Sequence, residues 1–232
     1  MRTILIAAMT AMALVTAGCV PDDAPVIIRQ VKGLTGTADN CSAGELGILR
    51  GSLDVSAPTT YLGVLDLRSE TGSVIQPGAG VNTEVERTDP NDVILDTIHY
   101  DYASNADTLP TTTQFEDEPI YALVPAGSDT PIVNFPFFGS KARESLPTSG
   151  VDATGVTVNV GIQLEGRFRS GGGRVKTNRI VFPIVVFDSG FTGCDPATQV
   201  LALNGPCETP GGVNGIPVVC CPIDNPGCAS SE

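Results

Sequence analysis

Hydrophobic and polar residues alternate most regularly over residues 156–169. The even positions, from Val156 to Phe168, are apolar or glycine, and the odd positions are mostly polar or charged. This period of two predicts a long β-strand with one face on a core and the other in water. A glycine-rich turn at 170–173 leads into residues 174–188, which predict the returning strand of a hairpin. Because residues 180–187 are almost wholly apolar, we expect that half to be buried on both faces or to bulge at Pro183.

Short apolar runs separated by polar stretches rich in Gly and Pro fill the rest of the chain. They predict further strands at residues 26–31, 48–55, 61–67, 93–102, 120–124 and 132–138. Within residues 93–102, the even positions from Ile94 to Tyr102 are expected to share the more apolar face. Polar segments are expected at 72–92 and 103–119, and the best candidate helix, residues 140–145, is short.

These elements predict an all-β protein, in which residues 26–189 form an antiparallel, β-sandwich-like domain. From residue 190 the composition changes, because five of the seven cysteines lie between Cys194 and Cys228, among Pro, Gly and Asn. Residues 190–232 are therefore expected to form an irregular, disulfide-rich tail that packs on the domain and contains no strands.

The amino-terminal residues 1–18 have the three parts of a secretory signal peptide. Arg2 supplies a positive charge, an apolar run follows, and Ala17 and Gly18 are small residues before Cys19. The apolar run is about a dozen residues long, whereas a transmembrane helix needs about 20. An ordinary signal peptide with an incidental cysteine is the alternative interpretation.

The segment that ends in Ala17-Gly18-Cys19 resembles the bacterial lipobox. The resemblance implies cleavage before Cys19 and lipid on that cysteine, which anchors the protein firmly because several acyl chains are attached. Residues 19–25 then form a short tether. Val20 stands where an aspartate would retain an enteric lipoprotein in the inner membrane, so we expect the outer membrane.

The chain is acidic, with a formal net charge of −13. Such a surface repels phosphate backbones and argues against nucleic acid as a partner. The expected partners are the membrane, through the lipid anchor, and another protein of the cell envelope.

Six cysteines remain if Cys19 carries lipid: Cys41, Cys194, Cys207, Cys220, Cys221 and Cys228. An even number in an exported protein predicts three disulfides, although the sequence leaves the pairing open. The adjacent Cys220 and Cys221 are expected to bond separate partners, and one bridge is expected to join Cys41 to the tail. A zinc or redox site is the alternative, but no pair has zinc-ligand or C-x-x-C spacing.

Candidate chemistry is sparse, and we predict no catalytic site, cofactor or metal. His99 is the only histidine, and a catalytic triad would need a nucleophile beside it. Acidic clusters at 89–92 and 116–118 could bind Ca²⁺ or hydrolyse glycosides, but solvated loop charges are the simpler interpretation.

One basic cluster stands out against the acidic background, and it surrounds the turn of the predicted hairpin. Its members with a possible anion-contact role are Arg167, Arg169, Arg174 and Lys176, with Arg179 nearby. An anionic partner is one hypothesis. A solvated hairpin end that resists edge pairing is the other, and we favour it.

Four features of the sequence resemble those of a known family. They are the lipobox, Cys41 ahead of Gly51-Ser52-Leu53-Asp54-Val55, the hairpin segment Phe182-Pro183-Ile184, and the pair Cys220-Cys221. It comprises uncharacterised outer-membrane lipoproteins, mainly from myxobacteria. The resemblance implies a β-rich lipoprotein and no particular activity.

The sequence therefore predicts a non-enzymatic envelope protein with a structural, adhesive or assembly role. An envelope hydrolase or calcium-dependent binding module using the acidic loops is the alternative.

Overall fold

A computed structural model describes residues 24–57, 60–73, 89–104, 115–146 and 150–225. The predicted signal peptide, Cys19 and Cys228 lie outside these residues, as does most of the predicted loop at 72–92.

The described residues form twelve strands and one short α-helix. In chain order these elements are β1 (Val26–Thr35), β2 (Ser42–Gly47), β3 (Gly51–Asp54), β4 (Leu62–Ser69), β5 (Val93–Ser104), β6 (Phe115–Val124), β7 (Asp129–Pro136), α1 (Ser140–Ser145), β8 (Val156–Phe168), β9 (Arg174–Lys176), β10 (Ile180–Phe187), β11 (Gln199–Leu201) and β12 (Cys220–Pro222). The helix has the predicted bounds, and the all-β class is confirmed.

Two sheets pack face to face in a sandwich-like arrangement. One sheet has the strand order β2-β1-β4-β7, and the other has the order β3-β10-β8-β5-β6, with β9 also paired to β8. All neighbours are antiparallel except β3 and β10, which are parallel. Because β2 leads directly into β3 and β6 into β7, the β2 and β3 edges lie on one side of the sandwich and the β6 and β7 edges on the other.

An aromatic cluster fills the space between the sheets. Phe137 is fully buried, and its ring lies 5.3 Å from that of Tyr61, 5.4 Å from that of Phe135 and 5.0 Å from that of Phe182. These residues come from or adjoin strands of both sheets, so the cluster joins the two layers. Burial raises the pKa of Tyr61 to about 12, although its hydroxyl donates to Asn214.

The predicted hairpin at 156–188 is present. Strand β8 buries Val158, Val160, Ile162 and Leu164, the even face expected from the alternation. The returning chain is split into β9 and β10 rather than forming one strand. Neither expectation for residues 180–187 holds, because the register with β8 continues through Pro183 and only the even positions of β10 are buried. Pairing with β3 begins one residue after Pro183, so the proline is flanked by one strand only.

Strand β5 departs from simple alternation. Its register with both neighbours shifts between Leu95 and Thr97, as a β-bulge does. Val93 and Leu95 are therefore buried before the bulge and Ile98 and Tyr100 after it, so the prediction that Ile94 shares the face of Ile98 is wrong.

Strand β6 begins at Phe115, within the segment 103–119 that we expected to be polar connection. Its inward positions include Glu116, which is buried and hydrogen-bonded rather than apolar. A buried carboxylate in a core-facing position interrupts the alternation of apolar and polar residues that indicates a strand. For this reason the first half of β6 was not predicted from the sequence.

The tail contacts the edge that β3 would otherwise expose. The amide of Asn214 donates to the carbonyl of Ser52 at 2.9 Å, and the amide of Asp54 donates to the carbonyl of Gly212 at 2.8 Å. The tail also contains a small hairpin of β11 and β12, contrary to our expectation that it has no strands. The sequence lacks an alternating pattern there because each strand has only three residues.

Candidate functional site

His99 lies on the outer face of the larger sheet, between two carboxylates. Its Nδ1 is 2.7 Å from Asp117 Oδ1, and its Nε2 is 3.0 Å from Glu165 Oε2. Strand pairing creates this arrangement, because β6 places Asp117 directly opposite His99. Since both ring nitrogens bond carboxylates, neither is bonded to a hydroxyl or thiol as a catalytic triad requires.

Glu165 is the centre of this surface network. It pairs with Arg174 and His99, and its Oε2 lies 3.1 Å from Lys176 Nζ. Hydrogen bonds from Arg174 and Lys176, with a smaller contribution from His99, lower the pKa of Glu165 to about 2.

This lowered pKa makes the network sensitive to acid. The folded pKa lies below the ordinary value of 4.5, so the contribution to stability is present above about pH 4.5 and is lost as the pH falls toward about 2. We expect Glu165→Gln to lower the melting temperature near neutral pH and the gap to wild type to close in acid. Circular dichroism melts across that range measure this, with Glu45→Gln, an exposed carboxylate, as the matched control. A gap that stays constant with pH would contradict the assignment.

The predicted basic cluster is largely paired within the chain. Arg174 and Lys176 bind Glu165, and Arg169 lies 3.8 Å from Asp92. Arg179 pairs with Asp101. Among the described residues, only Arg167 of the four predicted anion contacts makes no ion pair, and it is exposed. These contacts favour the interpretation of a solvated hairpin end that resists edge pairing over that of an anion-binding site.

The acidic cluster at 89–92 is a hydrogen-bonded turn. Asp89 Oδ1 accepts from the amide of Asn91 at 2.8 Å, and its Oδ2 accepts from Ser73 at 2.7 Å. Asp92 accepts from the amides of Asp89 and Ala126. Both aspartates are buried. Their oxygens accept hydrogen bonds within the connection between β4 and β5 and, through Ala126, from the β6–β7 connection.

The second acidic cluster binds the start of α1. Glu116 Oε1 accepts from the amide of Lys141 at 2.7 Å and from Ser140 Oγ at 3.2 Å, and Glu118 accepts from the amide of Ser140. Burial raises the pKa of Glu118, but hydrogen bonds with Ser140 and Glu116 and the charge of Arg143 together lower that pKa overall. Both carboxylates satisfy amides that a helix leaves unpaired at its first turn.

Two clefts lie where the tail meets the sandwich, and they share Asn214. The narrower has a volume of about 270 Å³ and includes Leu34, Leu62 and Ile216 in its lining. The wider has a volume of about 680 Å³ and is lined by Ile48, Arg50, Gly51, Ser52, Ala153, Thr154, Val185, Phe187, Asn214 and Gly215. Arg50 is the one ionisable residue among the described residues that line either cleft. The clefts suit an apolar group better than a hydrolytic reaction, which needs acids or bases beside the substrate.

Asn214 joins the tail to the sandwich between the two clefts. It adopts a left-handed backbone conformation (φ 54°), which asparagine tolerates better than most residues. Its Oδ1 accepts from Tyr61 Oη at 3.1 Å and from the amide of Ser52 at 3.3 Å. Sequence reasoning missed this residue, because one asparagine in a loop gives no periodic signal.

The cysteines follow the predicted pattern as far as the structure describes them. Cys41 bonds Cys207, which ties the connection between β1 and β2 to the tail, and Cys194 bonds Cys220. Cys221 is also disulfide-bonded. The expectations that Cys41 reaches the tail and that Cys220 and Cys221 bond separate partners are confirmed.

Comparison with known proteins gives no match to a family model, to a curated protein or to a solved structure. Among the described residues, no three His, Cys, Asp or Glu side chains are grouped to hold a metal ion. The helix in the described part of the chain is too short and too polar to cross a bilayer.

Proposed function

We propose that this chain is a lipid-anchored protein of the bacterial outer membrane, with a structural, adhesive or assembly role through contact with another envelope protein. The observation that carries the proposal is the sequence Ala17-Gly18-Cys19 at the end of an apolar leader, only seven residues before β1 begins at Val26. Lipid on Cys19 would hold the sandwich against the membrane. The proposal is in keeping with the resemblance to myxobacterial outer-membrane lipoproteins.

Disulfide bonds support an exported location. Five described cysteines are oxidised, and disulfides persist in the periplasm and at the cell surface but are rare in the cytosol. The pairing of the candidate chemical groups supports a non-enzymatic role. His99 and the acidic clusters bond other parts of the same chain, which gives the hydrolase and calcium-binding alternatives no support.

The β6 edge supports a role in protein contact. Phe115 is 76% exposed and Tyr121 is 80% exposed on this outermost strand, and Leu123 is partly exposed beside them. Exposed apolar residues on an edge strand mark surfaces that pair or pack with another protein. We assign the envelope partner to this side of the sandwich.

Replacing Cys19 with serine is expected to abolish incorporation of labelled palmitate into the protein. A serine hydroxyl does not form the thioether that carries the acyl chains. Metabolic labelling followed by immunoprecipitation measures this, with Val20→Ser as the control that keeps the cysteine. Palmitate incorporation into the Cys19→Ser protein at the level of the control would refute the anchor at Cys19.

A further inference from the structure

Two leucines stand apart from the core at the β2–β3 corner. Leu49 is 90% exposed and Leu46 is 81% exposed, the highest values among the large hydrophobic residues that the structure describes. Leu46 lies on β2, the edge strand of the smaller sheet, and Leu49 lies in the three-residue connection to β3. Neither contributes to the packing between the sheets, so the fold does not account for them.

The next residue along the chain, Arg50, carries a positive charge. Arg50 is exposed and makes no ion pair or hydrogen bond with any residue in the described part of the chain. Many other basic side chains, such as Lys32 with Asp66, pair within the protein. Glu45 precedes Leu46 on β2, and successive side chains of a strand point to opposite faces. The corner therefore combines two apolar side chains with a positive charge that no described residue pairs.

This corner lies within reach of the proposed anchor. The amide of Ile48 donates to the carbonyl of Val31 at 2.8 Å, which places the corner five residues along β1 from Val26. Five residues of strand span about 17 Å. The seven residues from Cys19 to Val26 can span at most about 25 Å. Lipid on Cys19 and the β2–β3 corner can therefore contact the surface of the same bilayer. The tether leads into β1, and β1 is the direct neighbour of the edge strand β2.

We propose that the β2–β3 corner is a membrane-contact surface, in which Leu46 and Leu49 enter the lipid interface and Arg50 meets the headgroup phosphates. The inference rests on the proposed lipid anchor and adds the orientation of the sandwich. Apolar side chains gain from leaving water at the interface, and an arginine beside them is attracted to anionic lipid. The β6 edge, four strand spacings or about 19 Å away, then faces away from the bilayer.

The natural chain contains no tryptophan, so a single introduced indole reports its own environment. The full, lipidated chain carrying Leu49→Trp is reconstituted in vesicles of phosphatidylethanolamine and phosphatidylglycerol. The matched control is Tyr121→Trp, which is similarly exposed but lies on the β6 edge. Bromine on the acyl chains is expected to quench the indole at position 49 by about twofold or more, with a blue-shifted emission, and to leave position 121 unchanged.

Flotation of the same vesicles separates the possible outcomes. If the protein floats with lipid but position 49 is not quenched, or both positions are quenched equally, the membrane-contact surface is refuted while the anchor stands. If the lipidated preparation does not float, the anchor fails and the membrane-contact surface fails with it. A further variant, Leu46→Ser/Arg50→Glu in the Leu49→Trp background, is expected to reduce the quenching, and unchanged quenching would overturn the roles of these two side chains.

Discussion

A variant in which Cys41 and Cys207 are both replaced by serine is expected to lose about 5 kcal/mol of its free energy of unfolding. The bridge joins residues 166 positions apart and so closes most of the folded chain into one loop. Removing the bridge raises the conformational entropy of the unfolded chain, and this gain is larger for a longer loop. It also removes the covalent bond that holds the tail against the connection between β1 and β2. Urea unfolding followed by circular dichroism measures the loss.

The second bridge provides the control for this expectation. Cys194 and Cys220 are 26 positions apart, so replacing both with serine is expected to cost only about 3 to 4 kcal/mol. Both variants remove two cysteines and leave no free thiol from the broken pair. The difference between their losses in free energy of unfolding therefore reflects loop length and the attachment of the tail. A smaller loss for the Cys41–Cys207 pair than for the Cys194–Cys220 pair would contradict this account.

Truncating Phe137 to alanine is expected to cost about 4 kcal/mol, because it leaves a cavity where three aromatic rings meet. Its ring is fully buried and touches Tyr61, Phe135 and Phe182, so the neighbouring rings of both sheets lose a shared contact. Phe115→Ala is the matched control, since that ring is exposed on the β6 edge and is expected to change stability little. Equal losses from the two substitutions would show that the aromatic cluster does not join the sheets.

Sequence periodicity predicted the fold where inward positions are apolar. Strand β8 is the clearest case, because its even positions from Val158 to Gly166 are buried as expected, while Val156 and Phe168 at its ends are half-buried. The same reasoning found α1 and the all-β class, because both depend on local composition. It also led to the sandwich-like arrangement, since half-polar strands must bury one face against a second layer.

The errors have local physical causes. The bulge in β5 reverses the inward face between Leu95 and Ile98, and it is accommodated by Gly166, where a Cβ would overlap the carbonyl oxygen of Ile94. One sequence does not reveal such a bulge, because both registers present apolar residues. In β6, Glu116 takes a buried position by binding α1, a tertiary contact that local pattern cannot show.

The candidate site was less predictable than the fold. Cysteine number and spacing indicated disulfides and a link from Cys41 to the tail, because an even number of cysteines favours bridges and Cys41 lies far from the others in the sequence. Charge clusters were visible as well, but whether Glu165 or Asp92 binds a partner or its own chain depends on strand register. The β2–β3 corner was missed, because Leu46 and Leu49 look like core residues until their exposure is known.

The most direct test of the lipid anchor is an intact-mass spectrum of unreduced protein taken from native membranes. We expect a chain that begins at Cys19, carries added acyl chains and lacks six thiol hydrogens, at Cys41, Cys194, Cys207, Cys220, Cys221 and Cys228. Such a mass would establish both the anchor and three disulfides. A mass that fits the same chain without lipid, or one that retains residues 1–18, would contradict lipidation at Cys19 and remove the basis for membrane contact at the β2–β3 corner.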